Sequence, residues 1–210
     1  DLHRHDRRQR QMCIRDRNNI LEIFPTPLYV VTDVLTEEEN DELVNHILSI
    51  QDREVGKGKD LWHSGVGSPK NSFGLELKDK EFDLILQRAH FHVGQYIKTL
   101  DADVRIDHMH KQWWWNVYGN HNYQEYHSHV PHLFSGVYYA RVPKGSSDIK
   151  LRHPAWNINI PHINQNQYNS DTCNFKLYER VMIIFPSTLL HCVPSGENTE
   201  PRISFSFNYG

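Results

Sequence analysis

Three histidines and one arginine in the C-terminal half have the types and spacing for metal and anion chemistry. His127-Ser128-His129 lies in a run that reads as a β-strand. Side chains alternate along a strand, so positions 127 and 129 point the same way. Two imidazoles on one face can share a metal ion. His191 comes 62 residues after His129, beyond another strand-like run and a Phe185-Pro186-Ser187 turn. Over that distance a β-sandwich can bring a strand back beside the first pair. Arg202 follows 11 residues later, in Arg202-Ile203-Ser204-Phe205-Ser206-Phe207. Alternation there puts Arg202, Ser204 and Ser206 on one face. An arginine turned into a barrel needs an anionic partner, because an unpaired buried charge is very costly.

The histidine pair is weak evidence by itself. The chain has 15 histidines, and His-x-His recurs at His3/His5, His90/His92 and His108/His110. The first pair sits in an atypical tail. The second falls on a predicted helix, where positions i and i+2 diverge. The third precedes Trp113-Trp114-Trp115 and could form a strand pair. What sets His127/His129 apart is the downstream His191 and Arg202. The Trp triplet cannot share one strand face and reads as core and rim packing. Cys192, next to His191, should point away from the other ligands as a small buried residue. His121 and His132 read as loop residues. The sequence has no Gly-rich phosphate loop, Ser/His/Asp set or CxxC pair.

The elements that must position these residues are legible. Residues 20–31 are apolar and β-rich but broken by Pro25 and Pro27, which suggests an edge strand. Thr36-Glu37-Glu38-Glu39 is a capping box, so a helix should start at Thr36 and bury Leu43, Val44, Ile47 and Leu48. Residues 52–74 read as a loop. A second helix is predicted from Asp79 to Leu100, with Phe82, Ile85, Leu86, Ala89, Val93, Tyr96, Ile97 and Leu100 at a helical period. Strands are then predicted over 104–107, 111–118, 126–129, 134–142, 148–152, 157–160, 174–178, 180–185, 189–193 and 201–208. Short strands at this spacing imply an all-β sandwich or barrel. The expected fold is mainly β with N-terminal helices: a double-stranded β-helix (a cupin-like jelly-roll) backed by two helices.

Composition bounds the rest. A chain of 210 residues suffices for one domain with a sizeable core. No stretch of 18 apolar residues exists, so no membrane span is expected, and no secretory signal is apparent. Three widely spaced cysteines, Cys13, Cys173 and Cys192, argue against a disulfide framework and fit a reducing, cytoplasmic compartment. Residues 1–17 carry six Arg and three Asp and differ sharply in composition from the rest of the chain. Such an arm could bind nucleic acid or be disordered. Its MCIRDR string resembles translated sequencing-adapter sequence, so it is read as a non-native or disordered tail. The single domain is then 18–210, with helical support over 18–103 and the jelly-roll core over 104–210. That remainder is mildly acidic, which argues against nucleic acid as a partner. Nothing in the sequence fixes the oligomeric state.

Taken in order, the motifs resemble a family. His-x-(Asp or His), then His, then Arg about ten residues on, is the pattern of iron(II)/2-oxoglutarate-dependent dioxygenases. Trp115-Asn116-Val117-Tyr118-Gly119, Glu125-Tyr126-His127-Ser128-His129, Ser135-Gly136-Val137-Tyr138-Tyr139, Ile183-Ile184-Phe185-Pro186-Ser187 and Arg202-Ile203-Ser204-Phe205-Ser206-Phe207-Asn208 look like one branch of it. That branch is similar to prolyl hydroxylases and frequent in marine bacteria and their phages. The resemblance covers roughly 104–208. It implies that His127, His129 and His191 hold Fe(II), leaving positions open for 2-oxoglutarate and O₂. It implies that Arg202 grips the distal carboxylate of 2-oxoglutarate, with Ser204 and Tyr139 beside it and Tyr118 and Asn116 in the same pocket. The implied reaction is hydroxylation of a C–H bond with release of succinate and CO₂, with ascorbate an optional reductant. A peptide side chain and a small metabolite are both open as substrate.

One departure matters. The usual second ligand is Asp, and here it is His129. Glu125 could be the missing carboxylate, or a partner orienting an imidazole, if the strand starts early enough. Three imidazoles without a carboxylate also occur in cupin-type metalloenzymes that do not use 2-oxoglutarate. Arg202 discriminates, since such an enzyme has no need of it. The third reading is a jelly-roll binding module without chemistry.

Overall fold

The computed structural model describes residues 25–52, 70–72, 78–155, 161, 163–164, 166 and 168–210. Among the described residues ten strands form two antiparallel sheets: β1 (Tyr29–Val31), β2 (Lys70–Asn71), β3 (Lys111–Tyr118), β4 (Gln124–His127), β5 (Phe134–Arg141), β6 (Ile149–Arg152), β7 (Thr172–Phe175), β8 (Val181–Pro186), β9 (His191–Val193) and β10 (Arg202–Tyr209). The larger sheet runs β1-β8-β5-β10-β3-β2 and the smaller β4-β9-β6-β7. Two α-helices, α1 (Glu37–Ile50) and α2 (Asp83–Thr99), also lie among the described residues. This is the jelly-roll architecture expected from the sequence.

The larger sheet is buried on both faces, and alternation decides what goes where. Ile203, Phe205, Phe207 and Tyr209 of β10, Trp115 and Val117 of β3, and Met182 and Ile184 of β8 share one core with Leu43, Val44 and Ile47 of α1 and Ile85, Ala89, Val93 and Tyr96 of α2. The opposite face sends Val181, Ile183 and Phe185 of β8 and Tyr139 of β5 against Ile149 and Leu151 of the smaller sheet. The helices therefore brace the back of the sheet whose front carries Arg202. Gly136 serves this packing. A Cβ there would come within 2.2 Å of the Phe207 ring and 2.9 Å of the Ile183 carbonyl. Only a residue without a side chain lets the rings of β10 cross β5 so closely.

Thr36 caps α1 as its sequence requires. Glu39 N–H donates to Thr36 Oγ1 at 3.2 Å, and Thr36 N–H to the Glu39 carboxylate at 2.8 Å. Asn40 is buried on the same helix because β5 satisfies it: its amide donates to the Ala140 carbonyl and it accepts from the Tyr138 hydroxyl. The second helix begins with a 3₁₀ turn over Lys80–Phe82 and ends at Thr99. Leu100 is exposed rather than part of the buried face.

Other boundaries move. Residues 104–107 form no strand. Ile106–His108 make a 3₁₀ turn, and Val104, Ile106 and Met109 pack against the helical core instead of pairing. The predicted strand 126–129 lies two residues earlier, at Gln124–His127. Within the predicted loop 52–74, Lys70–Asn71 pair with β3. Two residues carry no readable period, so sequence could not reveal them. The strand expected over 157–160 and residues 20–24 of the expected edge strand lie outside the described residues. The described part of the latter, Tyr29–Val31, does form a sheet edge. No described helix is long and apolar enough to cross a membrane.

Candidate metal centre and anion pocket

β4 and β9 are antiparallel neighbours with His127 directly opposite His191. Cross-strand partners share a face, and the two rings lie 4.3 Å apart between centroids. His129 stands beyond the end of β4. A turn holds it instead: its N–H donates to the Ser187 carbonyl at 2.9 Å, and its own carbonyl accepts from His132 N–H and the His132 imidazole. The His129 ring comes 5.0 Å from that of His127 and 5.1 Å from that of His191. One ligand atom from each of the three lies within 4.8 Å of the others, and among the described residues no other group of His, Cys, Asp or Glu converges this way.

Hydrogen bonds set the tautomers. His127 Nδ1 lies 2.7 Å from the Glu125 carbonyl and His191 Nδ1 lies 2.9 Å from the Leu189 carbonyl. A carbonyl can only accept, so Nδ1 carries the proton and Nε2 keeps its lone pair for a metal. Burial holds all three imidazoles below the usual histidine range, His129 at about 2 and His191 at about 3, with neighbouring imidazoles adding to the shift of these two. The shift favours the neutral, ligand-competent form of each.

A pH dependence results. The folded-state pKa values of His129 and His191 lie far below the value of 6.5 for an unconstrained histidine. Below that value the unfolded chain takes up protons that the fold refuses, so stability is fully present above it and falls with pH. Each neutral imidazole should cost the metal-free fold about 1.4 kcal/mol between about pH 7.5 and about pH 5.5, or about 3 kcal/mol for the two. Urea unfolding of chelator-treated protein at the two pH values measures this. A flat profile would show that the histidines ionise in place.

Glu125, the alternative carboxylate, is exposed and outside the cluster. The reason is a β-bulge. Gln124 lies opposite Val193 and His127 opposite His191, so between them two residues of β4, Glu125 and Tyr126, face one of β9, Cys192. The extra residue resets the alternation that would have put Glu125 beside His127. The other histidine pairs are elsewhere. His90 Nε2 lies 3.5 Å from the Asp107 carboxylate, His92 lies against Tyr29, His108 is in the 3₁₀ turn, and His110 stacks on His132. The Trp triplet splits: Trp115 faces the helices, Trp113 packs on Tyr209, and Trp114 walls the site 5.6 Å from the His129 ring. Cys192 lies opposite Lys150, on the other side of β9 from His191.

Across the sandwich, Arg202 is 2 % exposed. Its Nη1 donates to the Ser147 carbonyl at 2.9 Å, and Tyr118 covers its face with the ring centroid 4.1 Å from Cζ. Nε is buried without a hydrogen-bond partner, and among the described residues no carboxylate pairs with it. Tyr139 lies opposite Ser204 on the neighbouring strand, and burial raises its phenol above the tyrosine range although the Arg202 charge pulls it down. Burial likewise pushes Tyr118 up to about 12. Asn116 donates to Ser204 at 3.4 Å and to Ser206 at 3.1 Å. Farther along the same face, Ser135 bridges Ser187 and Asn208 at 2.7 Å each. The interior of this sandwich is thus polar along β10, with an underused guanidinium at one end. An orphaned buried Arg N–H fits a carboxylate ligand, and three neutral imidazoles fit a divalent first-row metal.

Residues 112–208 match the family described as "Putative 2OG-Fe(II) oxygenase". No curated relative matches the chain. Among solved structures, a prolyl-4-hydroxylase from Pseudomonas putida is similar at 9 % identity and TM-score 0.64, over 88 % of this chain and 92 % of that one. A prolyl hydroxylase from Trichoplax adhaerens, solved with a hypoxia inducible factor peptide, is similar at 13 % identity and TM-score 0.58, over 87 % and 82 %. HygX from Streptomyces hygroscopicus, solved with nickel and 2-oxoglutarate, is similar at 9 % identity and TM-score 0.55, over 88 % and 82 %.

Proposed function

We propose that the protein, whose residues 112–208 match the 2OG-Fe(II) oxygenase family, hydroxylates a substrate C–H bond using Fe(II), 2-oxoglutarate and O₂. In this reading His127, His129 and His191 hold the iron, and Arg202 holds the distal carboxylate of 2-oxoglutarate. When bound, iron and 2-oxoglutarate supply the oxidising power that places one oxygen atom of O₂ on the substrate, with release of succinate and CO₂. The chain's own residues bind and orient. The carbonyls of Glu125 and Leu189 fix the His127 and His191 tautomers. Tyr118 and the Ser147 carbonyl hold the guanidinium in place, and Ser204, Asn116 and Tyr139 line the pocket around it.

The observation that carries this reading is the buried Arg202 with an unpartnered Nε, facing the same interior as three neutral imidazoles. The absence of a carboxylate from the cluster favours a second reading, a metalloenzyme that dispenses with 2-oxoglutarate. Such an enzyme would keep a costly buried cation for nothing. The test is anaerobic loading with iron(II), titration of 2-oxoglutarate against its visible charge-transfer band, and succinate release on adding air. The band and succinate are expected, with ascorbate extending turnover. Iron binding without either result would favour the second reading. Incubating the loaded enzyme with a lysate and searching peptides and metabolites for the gain of one oxygen atom would separate the two substrate classes.

A further inference from the structure

The bulge that removes Glu125 from the site brings another residue in. Because Gln124 lies opposite Val193 while His127 lies opposite His191, Gln124 shares the His127 face of β4. Its carboxamide oxygen accepts the Tyr118 hydroxyl at 2.9 Å. The face of the same phenol covers the Arg202 guanidinium. Gln124 therefore stands one phenol ring away from the buried cation, on the strand that ends in His127. With its oxygen engaged by Tyr118, the amide nitrogen still carries two N–H donors for a ligand. Strict alternation assigns this inward place to Glu125.

We propose that Gln124 is a further cosubstrate-binding residue, donating its amide N–H groups to an oxygen of 2-oxoglutarate while Tyr118 fixes the amide's orientation. This rests on the oxygenase reading above. A dianionic ligand between His127 and Arg202 needs donors along its length as well as at its end. A neutral amide supplies them without adding a second buried charge.

The discriminating variant is Gln124→Glu. It keeps the side chain's length and an acceptor for the Tyr118 hydroxyl, but turns both donors into a negative oxygen. A residue that merely buttresses Tyr118 would tolerate it. A residue that touches the cosubstrate would not, and its 2-oxoglutarate Kd should rise by more than about tenfold, the scale of one lost charge-assisted hydrogen bond. Iron(II) affinity, measured without 2-oxoglutarate, should stay at the parent value. Should Gln124→Glu fail to fold, Gln124→Met and Tyr118→Phe are compared: both cut the tie between the two side chains, and only the first removes the donors. Gln124→Met must then lose more 2-oxoglutarate affinity than Tyr118→Phe. Parent-like affinity in folded Gln124→Glu, or equal losses in the other two, would overturn the assignment. A parent that binds iron but no 2-oxoglutarate would overturn it together with the oxygenase reading.

Discussion

Replacing His127 or His191 by alanine is expected to lower iron(II) affinity by more than about 100-fold, beyond the 10–100-fold typical of losing a mere outer partner of a ligand. The two rings face each other across β4 and β9 at 4.3 Å, each with Nδ1 tied to a carbonyl. Removing either leaves at most two imidazoles and an enlarged cavity. His129→Ala should fall in the same class, although its ligand is held by a turn and can adjust. Glu125→Ala should keep the iron, because Glu125 is exposed and only its backbone carbonyl takes part. His129→Asp makes a sharper contrast. It would restore the common two-histidine, one-carboxylate set, so iron should be retained if the shorter side chain reaches the metal. The measurement is bound iron per chain after anaerobic reconstitution and desalting, for all five variants side by side. One iron per chain in both His127→Ala and His191→Ala would place the metal elsewhere, with His108 and His110 the next residues to replace.

Sequence made part of this site visible, for physical reasons. Arg202 sits on a strand whose neighbours alternate cleanly, so the side it takes follows from local period alone. Ile203, Phe205 and Phe207 turn to the helices, and Arg202, Ser204 and Ser206 turn inward. The capping box at Thr36 is equally local. Features that depend on a partner strand were hidden. The bulge between Gln124 and His127 is a mismatch in count between β4 and β9, and nothing in Gln124-Glu125-Tyr126 announces it. It is why alternation pointed to Glu125 and passed over Gln124. His129 joined the cluster in spite of lying past the strand's end, because the Ser187 carbonyl catches its N–H. That contact links segments 58 residues apart, and no local pattern encodes it. Trp114 was legible as packing, but not as the wall beside His129.

Arg202→Ala is expected to weaken 2-oxoglutarate binding by about 2–5 kcal/mol, the cost of removing one partner of a buried charge pair, or about thirty-fold to several thousand-fold in Kd. Iron binding should be nearly unchanged, since Arg202 makes no contact with the three imidazoles that the structure records. The guanidinium is 2 % exposed and one of its N–H groups has no partner. The ligand-free fold therefore carries a desolvated cation that only part of its surroundings satisfies. Two effects of opposite sign result. Arg202→Met, which replaces the cation by an apolar chain of similar reach, should leave the ligand-free protein as stable as the parent or more so. The same variant should lose the stabilisation that 2-oxoglutarate gives the parent, which at a hundred-fold excess over Kd is about 2.7 kcal/mol. Arg202→Lys keeps the charge but not the planar fork, so its affinity should fall between parent and alanine. Thermal melting with and without 2-oxoglutarate, alongside titration of the anaerobic iron complex, reads both signs in one set of proteins. A methionine variant that melts well below the parent without ligand would show that Arg202 holds the fold together. Equal 2-oxoglutarate affinity in the alanine variant and the parent would remove the arginine from the cosubstrate site and return the protein to the reading in which three histidines work without it.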